Sequence, residues 1–104
     1  MDKKFNLKIA KRFAKNIRKK FPDAQIIFYG SRFRGDHLYE SDFDFIIVSD
    51  YFKNINFYKR IQLILELWNM NFDIEPLCYT KKEFEKKKNQ ISIVSEALKN
   101  CIIL

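Results

Sequence analysis

A chain of 104 residues has the size of one domain, and 47% apolar residues with eleven phenylalanines exclude disorder, because such a chain can bury enough surface to offset its ordering entropy. Twenty Lys+Arg against thirteen Asp+Glu give a formal charge of +7, which favours polyanionic partners such as nucleotides, RNA or an acidic protein surface. No apolar run approaches the ~18–20 residues that cross a bilayer, and the N-terminus carries no apolar signal core, so the expected setting is the cytoplasm, away from the membrane.

Along residues 2–21, Phe5, Ile9, Phe13 and Ile17 recur every four positions, with Ala10 and Ala14 beside them and basic residues between. This spacing predicts an amphipathic helix, stopped by Pro22-Asp23. Gln25–Tyr29 is a β-branched and aromatic run ending at Gly30, which predicts a strand. A polar loop with a short helical turn is expected over 31–41. Phe43–Val48 then reads as a buried central strand. Residues 54–69 carry Ile61, Ile64, Leu65 and Trp68 at i, i+3, i+4, i+7, which favours helix over strand. A third strand is expected over 72–79, with Pro76 pointing to an edge or a bulge. Thr80 and Glu83 have capping-box spacing and open a charged helix toward Lys88. One more helix is expected over 91–100, followed by an apolar tail, 101–104. These elements predict one α/β (α+β) domain over 1–104, a small mixed β-sheet flanked by helices. The lysines of the first helix and of the Thr80 helix read most simply as solvated faces rather than a nucleic-acid surface.

Neither Cys78 nor Cys101 has CxxC or Cys/His spacing, and His37 is the one histidine. Zinc is not expected, and free thiols packed as small apolar groups are. Chemistry concentrates instead in residues 30–44, which read G-S-x10-D-x-D: Gly30-Ser31 after one predicted strand, Asp42 and Asp44 at the next. Aspartates at i and i+2 on a strand share a face about 6.6–7 Å apart, and at an effective dielectric near 20 they repel by roughly 2.5 kcal/mol. A positive charge belongs there. Hard oxygen ligands completed by phosphate suit magnesium, and two such ions can clamp the attacking and leaving oxygens of a phosphoryl displacement. Gly30 lets backbone approach a phosphate, and the Ser31 hydroxyl and the next amide can donate to it.

On these residues the chain resembles the polymerase-beta-like nucleotidyltransferase superfamily, and within it the minimal nucleotidyltransferases often encoded beside HEPN-domain toxins. The resemblance runs from the strand before Gly30, through Gly30-Ser31 with Arg32 and Arg34 and the block Ser41-Asp42-Phe43-Asp44, to Glu75-Pro76-Leu77-Cys78-Tyr79-Thr80 leading into Glu83-Phe84. It implies that Asp42 and Asp44 hold two magnesium ions. A third carboxylate on the neighbouring strand binds one of them and helps deprotonate the acceptor hydroxyl. Counting back from Thr80 favours Glu75 for that place, whereas the more usual aspartate identity favours Asp73; Glu75 is preferred. Gly30, Ser31, Arg32 and Arg34 are implied to contact the nucleotide.

The implied activity is transfer of a nucleoside monophosphate, AMP from ATP, to a hydroxyl with pyrophosphate leaving. Larger relatives add a helical lobe that grips the acceptor, and this chain has no residues left for one. A homodimer or a helical partner is therefore expected. The family context implies a HEPN toxin that receives AMP, with the present chain as its antitoxin. The competing class is a non-catalytic module that neutralises a partner by contact or binds RNA through its basic helices.

Overall fold

The computed structural model describes residues 3–38 and 40–104. Its elements are α1 (Lys3–Lys20), β1 (Gln25–Tyr29), α2 (Gly30–Arg34), β2 (Phe43–Val48), a 3₁₀ turn (Asp50–Phe52), α3 (Phe57–Leu65), β3 (Ile74–Tyr79), α4 (Lys81–Lys88), α5 (Ile93–Ala97) and β4 (Cys101–Ile103). The expected first residue of α1, Asp2, lies outside the described residues. The four strands form one mixed sheet in the order β3-β2-β1-β4. β1 runs antiparallel to β2 and β4, and β2 runs parallel to β3.

The period-2 alternation of the strands divides the core between two faces. Ile26, Phe28, Phe43, Phe45 and Ile47 point toward α1 and α3, where they meet Ile9, Phe13, Ile17 and Ile64. Phe13 stands edge-on to Trp68 with ring centroids 4.9 Å apart, and Phe28 stacks on Phe45 at 5.3 Å. Each such pair adds about 0.5–1.5 kcal/mol to the area it buries. The opposite face carries Ile27, Ile46, Val48 and Tyr79 against Phe84 of α4 and Val94 and Ala97 of α5. Asp44 lies on that second face, two residues before Ile46.

Several boundaries differ from the sequence expectation, each for a local reason. α3 is shorter than 54–69: Asn56 caps its start by accepting from the Lys59 N–H at 2.9 Å. Beyond Leu65 the chain tightens, with Leu67 N–H to Ile64 O and Trp68 N–H to Leu65 O, and the Trp68 indole turns to donate to Phe72 O. The third strand begins at Ile74 rather than 72. It lies at the sheet edge, where the missing N–H of Pro76 costs no inner ladder bond. α5 starts at Ile93, capped by Ser92, whose side chain accepts from the Ser95 N–H, so the expected helix over 91–100 shrinks to five residues. The apolar tail is a strand, β4, pairing Cys101 with Tyr29 and Ile103 with Ile27. The capping box of Thr80 and Glu83 is present, and Glu83 also receives the buried Arg60 guanidinium at 2.6 Å. Cys78 and Cys101 are free thiols. None of the described helices is long and apolar enough to cross a membrane.

Candidate active site

The turn from β1 into α2 builds one wall of the site. Tyr29 is extended (φ −144°), and Gly30 then takes φ +84° and opens α2. Only glycine adopts that backbone without strain. Space makes the same demand, since a Cβ at residue 30 would collide with the Asp44 carboxylate, coming within 3.0 Å of its Cγ. The first turn of a helix also leaves backbone N–H groups without intrahelical partners, the arrangement that receives phosphate oxygens. Here those groups face a carboxylate-bearing strand, so a negative phosphate needs a cation between.

Sheet register supplies the carboxylates. Asp44 is paired with Tyr29 on one side and with Glu75 on the other, so all three side chains project from the same face. Asp44 is half-buried, and its carboxyl is pushed up to about 6 by that burial first, then by the negative charges of Glu75 and Asp42 and a hydrogen bond with Glu75; Arg34 opposes the rise. Burial, then the charges of Asp44 and Glu75, also drives the Tyr29 hydroxyl well above the usual phenol range. It stays protonated and able to donate a hydrogen bond. The site is thus a concentration of negative charge, opposed among the described residues by the Arg34 guanidinium. That donor set, hard oxygens carrying excess negative charge, fits a divalent cation such as magnesium.

Among the described residues, no three Asp, Glu, His or Cys side chains converge tightly enough to enclose a metal unaided. Magnesium takes one or two carboxylates and completes its sphere with substrate phosphate and water, so Asp44, Glu75 and Asp42 need not form a closed cage. Asp73 stands apart. It is exposed, its carbonyl accepts from the Phe43 N–H at 2.9 Å, and it borders a separate cleft of about 440 Å³ with Arg32, Ser41 and Phe72. Its charge is not among those acting on Asp44.

The two arginines expected at the nucleotide separate. Arg34 is exposed, pairs with Asp36 at 3.1 Å, and lines a groove of about 270 Å³ with Tyr29, Gly30, Ala97 and Asn100. Arg32 is buried, with its guanidinium 4.9 Å from the Phe43 ring centre and 4.8 Å from that of Phe72, and with Nε donating to Ser41 O at 3.0 Å. The expectation that Arg32 contacts nucleotide does not fit this placement. It braces the loop that leads into Asp42. Asn6 of α1 completes the brace: its amide donates to Arg32 O at 3.0 Å and meets His37 Nδ1 at 3.3 Å. The sequence signal for Asn6 was an amide on the apolar stripe of α1. A cavity of about 520 Å³ opens at the far ends of the same strands, beside Gln25 and Val48, away from these carboxylates.

A family model described as a nucleotidyltransferase domain matches residues 10–100. Among solved structures, a proposed nucleotidyltransferase from Sulfolobus solfataricus superposes with a TM-score of 0.67 at 24% identity, over 97% of this chain and 80% of that one; the likeness is one of fold. No curated protein gives a significant match.

Proposed function

This chain belongs to the nucleotidyltransferase domain family, whose members generally act on nucleoside triphosphates with divalent metal, and we propose that it transfers AMP from ATP to a hydroxyl with magnesium bound at Asp42, Asp44 and Glu75. One observation carries the reading: the Gly30 turn sits directly against Asp44, which is itself in register with Glu75.

When bound, the metal would neutralise the phosphates and polarise the α-phosphoryl group. The chain's own residues do the rest by position and charge, because phosphoryl-type transfer asks little covalent chemistry of a protein. Asp42, Asp44 and Glu75 supply the oxygen donors. Amides at the start of α2 and the Ser31 hydroxyl receive triphosphate oxygens, and Arg34 reaches the groove edge as a further counter-charge. Glu75 is exposed and accepts the proton of the incoming hydroxyl. Tyr29, whose hydroxyl stays protonated beside the charges of Asp44 and Glu75, adds no further anion to the site. Asp44 must give up its proton to act as a ligand, so binding of metal and nucleotide weakens as pH drops through about 6.

The acceptor surface in this reading is a helical partner of HEPN type, to which the chain acts as an antitoxin by adding AMP to a tyrosine, serine or threonine hydroxyl. The support is that one small domain leaves its carboxylate face open. Mixing the chain with a HEPN-type candidate partner, magnesium and ATP, then weighing the partner by intact mass spectrometry, tests it. An added AMP mass, absent with Asp42→Asn/Asp44→Asn, is the expected result. Tight binding with no mass change in either sample would establish neutralisation by contact instead.

A further inference from the structure

Nine of the chain's twenty Lys+Arg lie within α1, which contains no Asp or Glu. At 100° per residue, Lys4, Lys8, Lys11, Arg12, Lys15 and Lys19 fall on an arc of about 100°, opposite the stripe of Ile9, Phe13 and Ile17 that enters the core. All six are exposed, and among the described residues none is in an ion pair. A merely solvating face needs charge but not this segregation, and mutual repulsion along one ridge of about 22 Å is unfavourable until an anion covers it.

The ridge borders a groove of about 490 Å³ whose lining includes Phe5, Lys8, Arg12, Asn69, Asn71 and Phe72. Phe5 is 46% exposed and stands edge-on to Phe72, with ring centroids 6.2 Å apart. Cations beside exposed aromatic surface are the combination that binds single-stranded nucleic acid: phosphates on the lysines, a base against the ring. An acidic protein face would need the charges but not the ring. Exposed asparagine amides can hydrogen-bond a 2′-hydroxyl, which distinguishes RNA from DNA.

We propose that the outer face of α1, with the Phe5–Phe72 groove at its edge, is a docking surface for single-stranded RNA, separate from the Asp42/Asp44 site and independent of nucleotidyl transfer. Six phosphate contacts on a single strand predict a log–log salt slope of about −4, a loss of roughly 300-fold in affinity between 50 and 200 mM salt. Fluorescence anisotropy with a labelled 12-nucleotide RNA measures it. Lys8→Glu/Lys11→Glu/Lys15→Glu is expected to lower affinity at least 100-fold and to flatten the slope to about −2. The corresponding triple glutamine variant should share the flattened slope with a smaller loss, which guards against a folding defect in the first. Phe5→Ala should lose roughly tenfold with the slope unchanged, and Asp42→Asn/Asp44→Asn should bind as wild type does. A triple glutamine variant that binds as wild type does would overturn the proposal. So would polyglutamate competing as well as RNA with Phe5→Ala silent, which would mark an acidic protein partner. DNA of the same sequence binding as tightly would overturn the choice of RNA.

Discussion

Asp44→Asn is expected to stabilise the unliganded protein while removing its metal site. The Asp44 carboxyl rises from 3.8 to about 6 on folding, and a rise of about 2 units corresponds to about 3 kcal/mol of penalty on the ionised form. The sign follows from proton uptake. Between pH ~4 and ~6 the folded state holds more protons at this group than the unfolded state does, so stability falls as pH rises through that window and the cost is complete above it. Asparagine is isosteric, carries no charge and can donate to Glu75. Because water reaches part of the carboxylate, the gain at pH 7.5 should be about 1–2 kcal/mol rather than the whole. That corresponds to roughly 5–10 °C in a domain of this size. Urea denaturation in EDTA at pH 7.5 and pH 4 is the assay. The variant should have the higher midpoint at pH 7.5 and lose most of its advantage at pH 4. A variant less stable than wild type at pH 7.5, or equally favoured at both pH values, would refute the claim that Asp44 is held against its charge.

Gly30→Ala should cost more than ~1 kcal/mol, since it adds a Cβ at φ +84° directly against Asp44, and it should remove ATP binding; thermal denaturation and calorimetry report the two effects separately. In single-turnover transfer, Glu75→Gln should slow the reaction ~100-fold or more while Asp73→Asn changes it less than ~3-fold, because only Glu75 is in register with Asp44; the reverse order would move the third carboxylate to Asp73. Magnesium·ATP binding at pH 6 should release protons from Asp44, seen as a calorimetric enthalpy that varies with buffer ionisation heat, and the dependence should vanish by pH 8.

How much of this was legible in the sequence depended on whether a feature is set locally. β1 and β2 were readable because each is a short β-branched and aromatic run, as a strand buried on both faces is, and Asp42 and Asp44 could be placed on one face by strand parity. The cap at Thr80 and the turn at Gly30 were readable because each needs a particular residue at one position. β4 was not, since four apolar residues carry no periodicity and its pairing depends on the free edge of β1. The pairing of β2 with β3 likewise lies outside either strand's own sequence, which leaves Asp73 and Glu75 as alternatives there; the register sets Glu75 beside Asp44. Arg32 and Arg34 are two residues apart in one motif. Only the packing of Phe43 and Phe72 separates the buried brace from the exposed cation. The apolar spacing overstates α3 because Trp68 continues the pattern of Ile61, Ile64 and Leu65 after the helix has ended.

The central claim is that Asp42, Asp44 and Glu75 form a nucleotide site only when a metal joins them to phosphate. Calorimetric titration of ATP into the protein in magnesium and in EDTA, repeated with Asp42→Asn/Asp44→Asn, tests it most directly. The account predicts binding in magnesium that weakens at least 100-fold in EDTA and at least 100-fold in the double variant. Equal affinity in EDTA, or an unchanged affinity in Asp42→Asn/Asp44→Asn, would contradict it.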